Sequence, residues 1–269
     1  EEACLSGIRA LLGHLGSPVV HAEQEEGPTA DLLPDSVLDL MPADRTGPWD
    51  VRALIRQIVD PPLEGQAINL FELKPDRAPN VITALGRIAG RSVGIVANNP
   101  QVMSGVIDVG AAQKMTRFIE RCSNFSIPLV FLADTPGFLI GSEAERQGIL
   151  AHGAALLRVV AEARVLRLTV VLRRAYGAGY YAMCGRAFEP GLLVAWPTAE
   201  ISVLAPEGIV SIAMARRIDN AHDPDAERVR LAEAIRPQFD IFHAAERGFV
   251  DDVIDPRETR RVLLRALAG

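Results

Sequence analysis

The sequence predicts an α/β fold in which strands of a mostly buried sheet alternate with helices. Short apolar, β-branched runs at residues 92–97, 127–133 and 168–172 have the length and composition of buried strands. Segments with helical apolar spacing, 108–124 and 144–163, lie between them. Glycine and proline follow the strands, so we expect the site at the strand ends.

The elements follow one another with clear boundaries. A helix is predicted over 3–15, followed by a proline-rich linker over 16–48. We place a domain boundary near Arg45, so that 1–45 is a tail with linker and 46–269 is the main domain. Asp50 is the expected cap of a helix over 49–60, and Gly90-Arg91 supplies the turn between two strands, read as a hairpin or as neighbours. The remaining predicted elements are strands at 80–87, 192–196, 201–204 and 249–254, and helices at 207–218, 226–236 and 257–268.

Composition excludes several functional classes. The chain has 269 residues, 49% of them hydrophobic, and a net charge of −6. The negative charge argues against a nucleic-acid partner, and no apolar run or signal peptide predicts a membrane partner. Three cysteines and five histidines lack metal-ligand spacing, so we expect no metal and a cytoplasmic location. Because the chain begins at Glu1 and not at Met, we interpret it as a fragment.

Three loops after strands, 98–105, 134–141 and 175–186, should meet at one edge of the sheet. They offer small residues and backbone amides. The third loop opens a helix near Gly177, and the free amides of its first turn can stabilise a developing negative charge as an oxyanion hole. Tight packing of this helix against the sheet explains the small residues equally well.

Side chains near these loops allow few catalytic roles. Asp134 could be a general base, but we favour a role in holding its loop by hydrogen bonds. For His152 we favour packing or capping. Arg173 and Arg174 fit a phosphate contact or a solvated strand end equally well. No nucleophile elbow, Walker A motif or complete dinucleotide fingerprint follows a strand, and no paired carboxylates accompany the third loop.

Several motifs occur in a characteristic order from about Ala3 to Leu267. They include D-V-R-x-x-I-x-x-I-V-D at 50–60, D-T-P-G-F-x-x-G at 134–141, A-Y-G-A-G-Y-Y-A-M-C-G-R-A at 175–187 and A-W-P-T-A-E-I-S-V at 195–203. In this order they resemble the carboxyltransferase (beta) subunit of biotin-dependent acyl-CoA carboxylases. The chain is similar to its C-terminal half, preceded by the tail of the N-terminal half.

The resemblance implies a crotonase-like (ClpP/crotonase) spiral of ββα units. It also implies transfer of a carboxyl group from carboxybiotin, on a separate carrier, to the α-carbon of an acyl-CoA. The expected partners are the acyl-CoA, a biotin carboxyl carrier or biotin carboxylase subunit, the N-terminal carboxyltransferase half, and further copies in a homo-oligomer, typically a trimer of dimers. A decarboxylase of the same fold and a non-catalytic scaffolding half remain alternatives.

The resemblance also assigns site residues by position. The amides of Ala178 and Gly179 are the expected catalytic donors to the biotin ureido oxygen. Tyr181 stands where acyl specificity is influenced. Its identity resembles the methylcrotonyl- or geranyl-CoA type, whereas A-W-P-T-A-E resembles the propionyl- or acetyl-CoA type, which leaves the acyl group open. The expected biotin-binding residues are Gly137, Phe138, Gly141, Tyr176, Gly177 and Tyr180.

Overall fold

The computed structural model describes residues 2–15, 31–44, 46–62 and 70–268. Residues 16–30 of the predicted linker and the boundary residue Arg45 lie outside these ranges. In the described residues the helices are α1 (Glu2–His14), α2 (Val51–Ile58), α3 (Val109–Asn124), α4 (Ser142–Arg146), α5 (Ile149–Glu162), α6 (Gly177–Ala182), α7 (Pro206–Ala213), α8 (Ala215–Asp219), α9 (Pro224–Ile235), α10 (Ile241–Glu246) and α11 (Thr259–Ala268). The strands are β1 (Phe71–Glu72), β2 (Val81–Ile88), β3 (Arg91–Asn98), β4 (Leu129–Thr135), β5 (Arg167–Tyr176), β6 (Leu192–Ala195), β7 (Glu200–Ser202) and β8 (Asp252–Val253).

The strands form one mixed sheet in the order β1-β2-β3-β4-β5-β6-β8, with β7 paired to the end of β5. The first three strands are antiparallel, and β3, β4, β5, β6 and β8 run parallel. Parallel strands place their carboxyl ends on the same edge, so the loops that follow β3, β4 and β5 start from one side of the sheet. The predicted α/β architecture is confirmed.

The predicted hairpin is confirmed by the pairing of β2 with β3, although its turn lies one residue earlier than the predicted Gly90-Arg91, because Arg91 already belongs to β3. Its two turn residues, Ala89 and Gly90, have φ of +48° and +74°, as a two-residue type I′ turn requires. The Asp60 carboxylate accepts hydrogen bonds from the amides of both residues, at 2.9 and 2.7 Å. The last residue of the D-V-R-x-x-I-x-x-I-V-D motif therefore stabilises the turn.

Alternate residues of β4 enter two separate apolar clusters. Leu129, Phe131 and Ala133 belong to the cluster under α3 and α5, whereas Val130 and Leu132 belong to the one under α2 and α11. Because successive side chains of a strand point to opposite faces, the sheet is the middle of three layers.

Residues 31–44 pack on the α2 side of the sheet. Leu33 and Val37 are buried in the cluster that includes α2 and α11, and the Leu33 amide donates to the Arg257 carbonyl at 2.7 Å. The division of the chain near Arg45 stays a prediction.

Two predicted helices are interrupted. The helix expected over 144–163 is divided into α4 and α5, because Gly148 adopts φ of +83° and a left-handed residue ends a helix. The helix expected over 207–218 is divided at Met214, with φ of −119°. Together α7, α8 and α9 enclose a small core of their own, built on Val210, Ile218 and Leu231; we call residues 206–235 the helical lobe.

The three cysteines have different surroundings. Cys4 on α1 is exposed, whereas Cys122 and Cys184 are buried. Burial raises the pKa of Cys122 to about 12 and that of Cys184 to about 11. None of the helices in the described ranges has both the length and the apolarity that a bilayer crossing needs.

Candidate active site

The three predicted loops meet at the carboxyl edge of the sheet, as expected. A Cβ built on Gly105 would lie 2.6 Å from the Asp134 carbonyl oxygen, which joins the first loop to the second. A Cβ built on Gly179 would lie 2.7 Å from the Gly137 Cα, which joins the second loop to the third. At both positions only glycine allows the two backbones to come this close.

The second loop is held by its own hydrogen bonds. The Gly137 amide donates to Thr135 Oγ1 at 3.1 Å, and the Ile107 amide donates to the Gly137 carbonyl at 2.9 Å. Gly137 and Gly141 have φ of +125° and +121°, which side chains disfavour. Because the Gly137 amide already donates to Thr135, a ligand needs hydrogen-bond donors from other residues.

The third loop supplies such donors at the start of α6. Its N-cap residue, Tyr176, makes no side-chain capping hydrogen bond. The amides of the first helical turn have no acceptor within the helix, and Ala178 and Gly179 lie in that turn. Ala178 is exposed and Gly179 is buried. The helix therefore presents an uncapped N-terminus beside the second loop.

An apolar pocket of about 390 Å³ lies beside this turn, between the second loop and α5. The Phe138 ring forms one wall and packs against Gly153 of α5, where a built Cβ would lie 3.3 Å from Phe138 Cε1. Two side chains at its rim are strongly exposed for their size, Ile140 at 89% and Leu150 at 82%. The lining residues are Phe138, Leu139, Ile140, Glu145, Ile149, Leu150, Gly153, Ala154, Leu157 and Ala178.

The three tyrosines around α6 differ in their surroundings. Tyr176 is buried, and its hydroxyl donates to Glu200 Oε2 at 2.5 Å. Tyr180 is buried too, and its hydroxyl accepts from the Arg186 amide at 3.0 Å. Burial raises the pKa of the Tyr180 phenol. Tyr181 is 42% exposed, with its ring centroid 5.5 Å from that of Tyr180.

The structure brings two of the predicted residues, Phe138 and Ala178, into the pocket lining. Gly179 is buried next to Ala178 and packs against Gly137. The side chains of Tyr176 and Tyr180 point into the protein interior. Their assignments, like those of Gly141, Gly177 and Tyr181, stay predictions.

Asp134 is the centre of a buried ion-pair cluster. It accepts from Trp49 Nε1 at 2.9 Å, from Arg173 Nε at 3.0 Å and from Arg174 Nε at 2.8 Å. Arg174 also donates to the Ser104 carbonyl at 3.0 Å. Asp134 acts through side-chain hydrogen bonds, as we expected, but its partners are Trp49 and the two arginines of β5, not its own loop. Both roles considered for Arg173 and Arg174 are wrong, because the two guanidinium groups are buried and paired with this carboxylate.

His152 lies between two helices. Its Nε2 is 3.2 Å from Nε2 of Gln113, which connects α5 to α3. This contact agrees with the packing role favoured from the sequence. Within the described parts of the chain, no three His, Cys, Asp or Glu side chains are placed to hold a metal ion.

Sequence reasoning missed the pocket wall on α5. Leu150, Ala154 and Leu157 line it, while Leu156, Val159 and Val160 belong to the buried core. The sequence contained an indication of this wall. A helix at the protein surface needs only one apolar face to pack on the core, and α5 has a second one.

Comparison with known proteins identifies the family. A family model described as the carboxyl transferase domain matches residues 1–268. The methylmalonyl-CoA carboxyltransferase 12S subunit of Propionibacterium freudenreichii subsp. shermanii is 45% identical over 242 residues, which are 89% of this chain and 45% of that protein. The methylmalonyl-CoA decarboxylase subunit alpha of Veillonella parvula is 39% identical over 274 residues, covering 100% of this chain and 50% of that protein.

A solved structure shows the same fold. The transcarboxylase 12S crystal structure, a hexamer with methylmalonyl-coenzyme A and methylmalonic acid bound, superposes with a TM-score of 0.84 at 42% identity. The match covers 97% of this chain and 50% of that one, so the chain spans about half the length of these relatives. The expected crotonase-like fold is confirmed. The chain belongs to the carboxyl transferase domain family.

Proposed function

We propose that this chain is the C-terminal, biotin-side half of an enzyme that transfers a carboxyl group between carboxybiotin and an acyl-CoA. The observation that carries the proposal is the uncapped first turn of α6 at the edge of an apolar pocket. Oriented amides at a helix N-terminus stabilise a developing oxyanion, and apolar walls exclude water from it.

The residues present fit a biotin ring. The apolar thioether ring of its bicycle suits the walls formed by Phe138, Leu157 and Ala154, and its ureido oxygen needs hydrogen-bond donors. The amides of Ala178 and Gly179 supply those donors. When bound, carboxybiotin supplies the activated carboxyl group and its own basic nitrogen.

The glycines act through the backbone. Gly137 and Gly179 let the second loop approach α6, while Gly141 and Gly177 adopt positive φ, each next to a residue of the pocket lining. Tyr176 and Tyr180, whose side chains point into the protein interior, stabilise α6. Tyr181, exposed and 6.3 Å in ring-centroid distance from Phe188, is the proposed acyl-specificity position.

The exposed pocket rim supports the proposed partners. Large apolar side chains as exposed as Ile140 and Leu150 mark a surface that a partner covers. We assign this cover to an N-terminal carboxyltransferase half within a homo-oligomer that also binds the acyl-CoA and a biotinylated carrier. The division into a tail, 1–45, and a C-terminal domain, 46–269, belongs to the same proposal.

The test uses the chain assembled with an N-terminal half, methylmalonyl-CoA as carboxyl donor and free biotin as acceptor. Carboxyl transfer should require both halves, and the isolated 269-residue chain should be inactive. Activity of the isolated chain would contradict the shared site.

The same assay separates the alternatives. Loss of methylmalonyl-CoA without ATP and without net transfer to biotin indicates a decarboxylase, the reaction in the name of the Veillonella relative. No turnover by the complete assembly with a range of acyl-CoA donors indicates a scaffolding half.

A further inference from the structure

Arg236 connects three carboxylates from three different elements. It begins a short 3-10 helix, Arg236–Phe239, directly after α9. Its guanidinium donates to Glu200 of β7 at 3.1 Å, to Glu207 of α7 at 2.7 Å and to Glu233 of α9 at 2.9 Å. The helical lobe is therefore tied to the sheet through Glu200.

Glu200 in turn contacts Tyr176, which lies two residues before the first candidate donor, Ala178. Its Oε2 accepts the Tyr176 hydroxyl at 2.5 Å, and both residues are buried, with 4% and 5% of their surface exposed. Tyr176 is the last residue of β5 and the N-cap of α6. An unbroken series of charged and polar contacts thus leads from Arg236 to the start of α6.

The backbone follows the same route. Tyr176 pairs with Ser202 in the β5–β7 ladder. A Cβ built on Gly177 would lie 3.0 Å from the Val203 carbonyl oxygen. The segment that leaves β7 for the helical lobe therefore lies against the first residue of α6, and a shift of either one must move the other.

We propose that Arg236, Glu200 and Tyr176 form a positioning relay, through which the helical lobe fixes the first turn of α6 and so the direction of the Ala178 and Gly179 amides. The last step rests on the proposed function. A buried carboxylate is stable only with its counterion, and a buried phenol needs its acceptor. Loss of any member therefore weakens the connection between the helical lobe and α6.

The experiment uses the complete enzyme with Tyr176→Phe, Glu200→Gln and Arg236→Met. Each change should lower kcat about tenfold to a hundredfold through the lost buried contact, with KM for the acyl-CoA within about twofold. Hydrogen exchange of the α6 amides should become about tenfold faster, while exchange in α3 stays unchanged. Because the relay is serial, Tyr176→Phe combined with Arg236→Met should be no worse than either alone.

Two further variants make the test specific. Arg236→Lys keeps the charge without the fork that reaches three carboxylates, so it should restore only part of the loss. Arg228→Met is the control within the same lobe, because Arg228 pairs with Asp225 on its own helix at 2.6 Å; it should leave both readouts unchanged. Wild-type kcat and wild-type α6 exchange in Tyr176→Phe would overturn the relay. If the wild-type enzyme transfers no carboxyl group, the proposed function fails, and the exchange data alone decide the relay.

Discussion

Gly179 packs against Gly137 so closely that a methyl group on Gly179 would lie 2.7 Å from the Gly137 Cα and 3.0 Å from Thr135 Cγ2. The contact joins the loops that follow β4 and β5, and it brings Phe138 to the side of α6. The shape of the candidate site therefore depends on glycine, which has no side chain, at both of these positions.

Gly179→Ala should separate these loops. We expect the free energy of unfolding to fall by about 1–3 kcal/mol, because backbone atoms cannot yield as a flexible side chain does. Carboxyl transfer should fall with it. Gly208→Ala in α7 is the matched control, since its Cβ would lie 3.7 Å from the Leu204 Cβ; it should be neutral or gain up to about 1 kcal/mol. Urea unfolding of both variants measures the difference, and equal stabilities would contradict the packing argument.

Ala178→Pro should remove one candidate donor with little change to the fold. Proline is tolerated in the first turn of a helix, and Ala178 is exposed. If its amide is an oxyanion donor, the transfer rate should fall by about 10²–10³-fold. Ala178→Ser keeps the amide and should retain nearly the full rate. Transfer by Ala178→Pro at the rate of Ala178→Ser would remove Ala178 from the site.

Asp134→Asn should be strongly destabilising. The change leaves two buried guanidinium groups without their carboxylate, and loss of one partner from a buried ion pair costs about 3–5 kcal/mol. Thermal unfolding should show this loss. For comparison, Asp225→Asn breaks the exposed pair with Arg228 and should cost under about 1 kcal/mol. Similar melting temperatures for the two variants would contradict the central role of Asp134.

His14 should make the stability of the chain depend on pH. Burial, followed by the nearby charge of Arg87, lowers the pKa of His14 to about 4, below the value of about 6.5 in an unfolded chain. The folded state therefore keeps His14 neutral, and its stability is present above pH 6.5 and is lost as the pH falls toward 4. Between pH 7 and pH 5 the loss should be on the order of 1–2 kcal/mol.

His14→Asn is the comparison for this effect, because asparagine does not titrate. Urea unfolding of both proteins at pH 7, 6 and 5 isolates the contribution of His14 from that of the carboxylates. Parallel curves for the two proteins would show that His14 does not titrate in this range.

The strands and turns of the sheet could be predicted because the sequence patterns that specify them are local. Strand composition, the turn at Gly90 and the cap at Asp50 all lie within a few residues of the structure they specify. The clustering of the loops followed from the common direction of parallel strands. The break at Gly148 was hidden, since one glycine inside a helical pattern is compatible with a continuous helix.

The interior of the site was less predictable. Asp134 meets Arg173 and Arg174 across about forty residues, and Arg236 meets Glu200 across a similar separation. Such contacts depend on how strands and lobes pack, which periodicity does not record. The pocket wall at Leu150 and Leu157 was not predicted, because the apolar spacing of that helix does not show which of its apolar residues lie outside the core.

The different surroundings of the cysteines have a practical consequence. Maleimide reagents attack the thiolate, and burial keeps Cys122 and Cys184 protonated and shielded at neutral pH, while Cys4 is exposed on α1. A fluorophore can therefore be attached to α1 of the unmutated chain. Ten residues along the same helix lies His14, so the dye would report in real time how firmly this helix stays docked as the solution is acidified.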